Sequence, residues 1–280
     1  MSAPSVLIAG CGDIGGRLAS QLVAEHWQVH GLRRTVSSLP AGVIGVSGDL
    51  FSEQCPADWP TGSLDYLVYS AAATDHDEAG YRAAYVEGLQ HVLGWLKQHG
   101  QRPKRLLFVS SSSVYGQQQG EWVDETSPTV AGGYSGRLML EAEQVALDSG
   151  IPASRVRLTG IYGPGREWLL SQVRQGYSVV EDPPLYANRI HADDAAGLLA
   201  FLLEADRQGK ALEDCYIGVD DAPAALADVV GWLREYLGVT QWAENASVRR
   251  AGSKRCSNAR AKALGWTPRY PSFREGYAAI

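Results

Sequence analysis

The chain of 280 residues lacks the features that define several protein classes. Its four cysteines, Cys11, Cys55, Cys215 and Cys256, have no C-x-x-C spacing, so the sequence predicts neither a zinc site nor a disulfide framework. Free thiols in a reducing compartment fit this pattern. Apolar runs such as 195–203 are too short to span a bilayer. The net charge of −6 argues against a general nucleic-acid binder.

The start of the chain shows no charged-then-apolar leader before the first apolar segment. No internal repeat or low-complexity tract follows it. We therefore expect a cytoplasmic protein that has no metal, nucleic-acid or membrane partner. The sequence leaves a homodimer open.

The first apolar segment carries the strongest motif of the chain. Residues 5–9 are typical of a buried parallel strand, and Ile14, Leu18 and Leu22 then recur at helical spacing. A strand, a G-x-G-x-x-G turn and a helix together predict a dinucleotide site, with the diphosphate at the helix N-terminus. The residues predicted to bind the cofactor here are Gly10, Gly12, Asp13, Ile14 and Gly15.

The second predicted strand, residues 27–32, ends at Arg33 and Arg34, and no carboxylate lies nearby. An acidic residue at this strand end binds the ribose hydroxyl of NAD, whereas arginine suits the additional phosphate of NADP. The two arginines therefore favour NADP over NAD. A solvated strand end is the alternative interpretation.

The remaining pattern alternates strands and helices, which predicts an α/β fold with a Rossmann-type, doubly wound parallel sheet. Further strands are predicted at 43–46, 64–69, 105–109, 155–159 and 215–219, and helices at 79–99, from 188–194 through 203, and at 222–237. We expect a dinucleotide-binding domain over 1–165, to which 188–219 returns. A smaller C-terminal substrate lobe is expected mainly over 166–280.

Several short motifs occur in one order along nearly the whole chain. They are the glycine turn, Gly48-Asp49-Leu50, Ala71-Ala72-Ala73, the segment 109–116 (VSSSSVYG), Arg157-Leu158 with 161–165 (IYGPG), 189–194 (RIHADD), and Leu264-Gly265-Trp266 with Pro268. In this order the chain resembles an extended short-chain dehydrogenase/reductase of the NAD-dependent epimerase/dehydratase family. The resemblance implies that Asp49 contacts adenine, that Ala71, Ala72 and Ala73 line the cofactor, and that Ser111 holds the catalytic Ser/Thr position.

The chain departs from this family at its centre of catalysis. Ala9 replaces the first glycine of the usual G-x-x-G-x-x-G, and Tyr85 stands where an asparagine is common. The family's Y-x-x-x-K pair places a lysine four residues after the tyrosine, where it lowers the tyrosine's pKa. Here Tyr134 is followed at that spacing by Leu138, with Arg137 one position earlier.

Three interpretations remain open. Arg137 supports a phenolate of Tyr134 electrostatically, although arginine cannot relay a proton. Alternatively, Tyr134 is a packed aromatic, and other groups such as Ser111 or Tyr115 act. In the third interpretation, the fold binds its cofactor but has lost hydride chemistry.

Two further features carry weaker hypotheses. His191 is a candidate general base, but a histidine bonded to backbone is the more economical interpretation. A basic segment suggests that Arg255 or Arg260 pairs with a substrate phosphate or carboxylate, against the alternative of a solvated basic face. The basic residues of this segment are Arg249, Arg250, Lys254, Arg255, Arg260 and Lys262.

The leading hypothesis is therefore an NAD(P)-dependent oxidoreductase or epimerase/dehydratase-like enzyme that acts on a hydroxyl or carbonyl carbon, for instance of a nucleotide sugar. Ser111 would hold the substrate oxygen, and Tyr134 would exchange its proton with help from Arg137. The alternative is a catalytically silent NAD(P)-binding protein that senses redox state.

Overall fold

The computed structural model of the chain describes residues 3–179, 182–243 and 252–280. The strands in these ranges are β1 (Ser5–Ala9), β2 (Gln28–Arg33), β3 (Ile44–Ser47), β4 (Tyr66–Tyr69), β5 (Arg105–Ser111), β6 (Glu121–Val123), β7 (Ala153–Leu158), β8 (Gly160–Tyr162), β9 (Tyr186–Ala187), β10 (Arg189–His191), β11 (Cys215–Gly218), β12 (Ala224–Ala225) and β13 (Lys254–Cys256). The α-helices are α1 (Asp13–Ala24), α2 (Glu78–Tyr81), α3 (Gly88–Gln98), α4 (Tyr134–Leu147), α5 (Trp168–Arg174), α6 (Ala192–Arg207), α7 (Leu226–Leu237), α8 (Ala259–Leu264) and α9 (Phe273–Ala278).

The central sheet has the strand order β11-β7-β5-β4-β1-β2-β3. Strand β1 pairs in parallel with both β2 and β4, and the pairs β2–β3 and β4–β5 are parallel as well. The chain builds outward from β1 in one direction through β3 and then crosses to β4 on the other side. The Rossmann-type α/β fold is thereby confirmed. A crevice at the carboxyl ends of β1 and β4, where the strand order reverses, is the position at which such sheets bind ligands.

Burial explains why β1 and β4 sit at the centre of this sheet. Every residue of both strands is buried, as expected for parallel strands covered by helices on both faces. Helix α1 buries Ile14, Leu18 and Leu22, the residues whose helical spacing was apparent in the sequence. Helix α7 ends at Gly238, which has left-handed backbone geometry, and its buried side includes Leu226, Val229, Val230 and Leu233.

Two of the differences from the sequence prediction affect the candidate site. Strand β5 continues through Ser111, so two of the four consecutive serines belong to the strand and not to the loop after it. The helix expected over 79–99 covers 78–98, but Arg82–Glu87 forms a π-helical turn between α2 and α3. Apolar periodicity cannot reveal such a turn, because one inserted residue barely disturbs the helical pattern.

The chain forms two compact units. The first consists of Met1–Val114, Ala131–Arg157 and Ala196–Tyr216, and the second of Tyr115–Val130, Leu158–Ala195 and Ile217–Ile280. The assignment of cofactor and substrate to separate domains stays a prediction. Among the described residues, no helix combines the length and the apolar character needed to cross a membrane.

Candidate functional site

The glycine loop between β1 and α1 is shaped by close backbone approach. Gly10 has φ of +84°, and a Cβ atom at this position would lie 2.5 Å from the backbone N and Cα of Ala71. The loop is further fixed by the amides of Gly10 and Cys11, which both donate to the carbonyl of Leu32 at 3.1 and 3.0 Å. Any side chain at position 10 would therefore push the loop away from the end of β4.

The N-terminus of α1 has the form of an anion site. Its cap residue is Gly12, which offers no side chain to the first amides of the helix. In the first turn of an α-helix these amides have no partner within the helix, and the helix dipole is positive there. Arg17 holds the Asp13 carboxylate with a hydrogen bond of 2.8 Å, which offsets the negative charge in this turn. The loop and first turn thus fit the diphosphate of a dinucleotide cofactor.

The end of β2 presents positive charge beside this loop. The Arg33 guanidinium donates from Nη1 to the carbonyl of Cys11 at 3.2 Å, and Arg34 is exposed. The residues from Gln28 through Ser38 include no Asp or Glu. Burial raises the pKa of the Cys11 thiol to about 11, an effect that the charge of Arg33 partly opposes. Cys11 therefore remains a neutral packing residue within the loop.

The remaining residues predicted to bind the cofactor lie in the segments that follow β3 and β4. Asp49 is exposed, and its carboxylate accepts a hydrogen bond of 3.1 Å from the amide of Phe51. After β4, Ala71 lies against Gly10, and the amide of Ala73 donates to the hydroxyl of Tyr85 at 3.4 Å. The three consecutive alanines thus connect the glycine loop to the π-helical turn.

Ser111 is half-buried at the end of β5, and its Oγ accepts a hydrogen bond of 3.1 Å from the amide of Ser113. The preceding serine, Ser110, is buried and donates to Glu143 of α4 at 2.6 Å. Glu143 is also held by a two-pronged ion pair with Arg157, at 2.8 and 2.7 Å. This buried group, which fixes α4 against β5 and β7, was not identified from the sequence. In the sequence, the only sign of this group is that Glu143 lies on the apolar face of a helix.

The structure separates the candidate catalytic residues of α4. Tyr134 donates from its hydroxyl to the carbonyl of His76 at 2.5 Å, and its ring meets Tyr81 edge-on at 5.5 Å. Arg137 is largely exposed and forms an ion pair with Glu78 at 3.3 Å. Leu138, at the position of the family lysine, is only 2% exposed. Electrostatic help from Arg137 to Tyr134 stays a prediction, because the guanidinium is directed to a carboxylate on α2.

Two weaker candidates lie in the second unit. The Nδ1 atom of His191 accepts a hydrogen bond from the amide of Asp193 at 3.2 Å. Arg255 donates to the carbonyl of Gly120 at 2.8 Å, and Arg260 lies 3.7 Å from Glu125. Both arginines therefore have partners within the protein. Arg249 and Arg250 of the same basic segment lie outside the described residues.

Known proteins resemble this chain over most of its length. Protein YeeZ of Escherichia coli (strain K12) is 30% identical over 75% of this chain and 77% of its own. A 3-diazoavenalumate denitrifying reductase of Streptomyces sp. is 26% identical over 97% of this chain and 98% of its own. A solved structure from Methylobacillus flagellatus, assigned as an NAD-dependent epimerase/dehydratase, has 35% identity and a TM-score of 0.81, and the match covers 100% of this chain and 98% of that one.

More distant structures share the fold. MoeE5, solved with UDP-glucose and NAD, has 24% identity and a TM-score of 0.78, covering 98% of this chain and 96% of that one. The sequence pattern of the NAD dependent epimerase/dehydratase family matches residues 6–218, which include the glycine loop, Ser111 and Tyr134. Together with the glycine loop and the strand order, this match gives the chain its identity: it belongs to the NAD-dependent epimerase/dehydratase family.

Proposed function

We propose that this protein is an NADPH-dependent reductase that acts on a carbonyl group of a small molecule. The observation that carries the proposal is the buried Leu138 at the position of the family lysine. Without an ammonium group there, the aliphatic Leu138 side chain cannot favour a phenolate of Tyr134, whose hydroxyl donates to the carbonyl of His76 in the structure. Such a group is a poor base for the oxidation of an alcohol but a competent proton donor in the reverse direction.

The choice of NADPH is supported by the charge at the end of β2. The Arg33 guanidinium lies beside the glycine loop, 3.2 Å from the carbonyl of Cys11, where the adenosine ribose binds in folds of this type. A phosphate on that ribose would gain a planar, always charged partner. When bound, the nicotinamide ring supplies the hydride.

The other atoms of the reaction come from the substrate and from the protein. The substrate carbon gains a C–H bond, its C=O double bond becomes a single bond, and its oxygen takes a proton to give an alcohol. Ser111 would hold that oxygen by a hydrogen bond. The Tyr134 hydroxyl, which donates to the carbonyl of His76 in the structure, would transfer its proton to the substrate oxygen and recover one from water.

The relatives support a reductase without fixing its substrate. One relative over nearly the full length is named as a reductase. MoeE5, which shares the fold, was solved with a nucleotide sugar. Keto-sugar nucleotides therefore belong in a substrate panel beside simple aldehydes and ketones.

The test measures the rate of NADPH consumption with each compound of that panel. The readout is the decrease in absorbance of the reduced nicotinamide. We expect turnover with at least one carbonyl compound. Ser111→Ala and Tyr134→Phe should each lower kcat by about 10²-fold or more while leaving NADPH affinity unchanged. Turnover that survives in both variants would contradict the assigned roles, and the absence of turnover with the whole panel would contradict the reductase.

A second candidate function is a catalytically silent NADPH sensor. The Arg137–Glu78 ion pair favours it, because this pair gives the Arg137 guanidinium a carboxylate partner on α2. Tight NADPH binding without turnover, together with a protein complex that forms only with one redox state of the cofactor, would support the sensor.

A further inference from the structure

The π-helical turn at Arg82–Glu87 lies beside the predicted cofactor segment, and its cause is visible in the structure. The Tyr69 hydroxyl, at the end of β4, donates to the carbonyl of Ala84 at 2.5 Å. Burial raises the pKa of Tyr69, so this group remains a donor. A Cβ atom at Gly88 would lie 2.5 Å from the same hydroxyl, so only glycine lets Tyr69 approach the helix here.

The turn places Tyr85 next to the alanine segment. Its hydroxyl oxygen accepts a hydrogen bond from the amide of Ala73, one of the residues expected to line the cofactor. Among the described residues, the structure holds no acceptor for the proton of the same hydroxyl. Burial raises the pKa of Tyr85, so the group keeps that proton at neutral pH. A half-buried hydroxyl with its acceptor side occupied and its donor side open is suited to bind an oxygen of a ligand.

We propose that the Tyr85 hydroxyl donates a hydrogen bond to the carbonyl oxygen of the substrate, and that Tyr69 acts as its positioning residue through the carbonyl of Ala84. This role rests on the proposed carbonyl reductase. The bond would grow stronger as negative charge develops on the substrate oxygen, which is the condition for stabilising a transition state. Tyr85 would thus contribute binding and charge stabilisation, whereas Ser111 and Tyr134 keep the roles given above. π-Helical turns are frequent at functional sites, which accords with this placement.

The decisive experiment measures ligand binding without reduction. The probe is 4-nitrobenzaldehyde, titrated into the complex of the full chain with NADP⁺, which has no hydride to deliver. We expect Tyr85→Phe to weaken probe binding by about five- to tenfold, the loss of one ordinary hydrogen bond, with NADP⁺ affinity unchanged. The matched control is Tyr81→Phe, one helical turn earlier on the same segment and in ring contact with Tyr85 at 5.3 Å, which should bind the probe as the wild type does.

The positioning role has a readout of its own. Tyr69→Phe removes the hydroxyl that holds the π-helical turn, and we expect the amide resonance of Ala73 to shift in the NMR spectrum as the Tyr85 hydroxyl moves. The same resonance should shift in Tyr85→Phe and remain in place in Tyr81→Phe. An unchanged Ala73 resonance in Tyr69→Phe would overturn the role of Tyr69.

The outcomes separate this inference from the proposed function. Equal probe affinity of wild type and Tyr85→Phe would overturn the inference even if the enzyme reduces carbonyl compounds. Probe binding that depends on Tyr85, without any NADPH consumption, would overturn the reductase and leave the binding role in place. A wild-type complex that binds neither the probe nor any carbonyl compound of the panel would overturn both.

Discussion

The glycine loop and the start of α4 differ in which part of the chain forms them, backbone in the first and side chains in the second. The loop between β1 and α1 is formed by backbone: a positive φ at Gly10, a cap without a side chain at Gly12, and a helix N-terminus that no side chain caps. At the start of α4, by contrast, the proposed chemistry depends on side chains, and the buried Leu138 occupies the position predicted for the family lysine. A loop that depends on backbone geometry tolerates few substitutions. A site formed by side chains can change its reaction through a single substitution.

The buried network of α4 shows that this helix is nevertheless firmly held. Glu143 binds both Ser110 and Arg157 in the interior, so the later turns of α4 are fixed against β5 and β7. Leucine at position 138 therefore alters the proposed chemistry of α4 and leaves the packing of the helix in place. The predictions below test each half of this contrast.

The largest effect is expected at Glu143. Glu143→Ala leaves the buried Arg157 without its main carboxylate, and we expect the free energy of unfolding to fall by about 3–5 kcal/mol. The matched control is Glu141→Ala on the same helix, where the exposed pair with Arg82 contributes at most about 1 kcal/mol. Urea denaturation of both variants measures the difference. Similar losses in the two would show that the network does not hold α4.

The next effect concerns the backbone of the loop. In Gly10→Ala the new Cβ would meet the backbone of Ala71 at a positive φ, and we expect a loss of about 2–5 kcal/mol in unfolding free energy. Gly12→Ala adds its Cβ in open space, 4.0 Å from the nearest carbonyl oxygen, so it should leave stability within about 0.5 kcal/mol.

The same pair of variants separates folding from binding. Gly12 is the glycine expected to let the backbone approach the diphosphate. Gly12→Ala should therefore lower the affinity for NADPH by about tenfold or more, although the variant folds normally. Thermal unfolding and calorimetric titration give the two numbers. A Gly12→Ala protein with wild-type affinity would contradict the assignment of the loop.

The sequence predicts the features that depend on residues adjacent in the chain, and it does not predict those that depend on distant partners. The loop was predictable because its glycines, its strand and its helix are adjacent in the chain. The doubly wound parallel sheet was predictable because strands and helices alternate along the chain, and parallel strands with helical crossovers have few arrangements. These are local signals, and the fold and family predicted from them are confirmed.

The parts that could not be predicted involve partners far apart in the chain. The π-helical turn depends on Tyr69 meeting the Ala84 carbonyl, and the buried ion pair depends on Arg157 meeting Glu143. Apolar periodicity carries no information about either contact. Arg137 illustrates the same limit, because its spacing from Tyr134 suggested an electrostatic partner and the fold supplied Glu78.

A smaller effect is expected at the end of β2. Arg33→Asp replaces the cation beside the loop with a carboxylate, and we expect the preference for NADPH over NADH to fall by about tenfold or more. The measurement is the ratio of the two dissociation constants. Arg34→Ala is the companion variant and should change the ratio less, because its side chain is exposed, whereas Arg33 is bonded to the loop. An unchanged ratio in Arg33→Asp would remove the NADP assignment.

The last prediction is that the rate of carbonyl reduction changes little with pH. A proton donor is competent below its pKa and fails as pH rises through it. Burial raises the pKa of Tyr85 above that of an ordinary tyrosine. The rate of carbonyl reduction should therefore stay level from about pH 6 to about pH 9. A fall in kcat with an apparent pKa near 7 would indicate an activated phenolate and contradict the donor role.

The measurement that tests the central claim most directly is calorimetric titration of the wild-type protein with NADPH and, separately, with NADH. The account predicts one site per chain, with NADPH bound more tightly than NADH and with both affinities reduced in Gly12→Ala. Failure of the protein to bind either nucleotide would contradict the account.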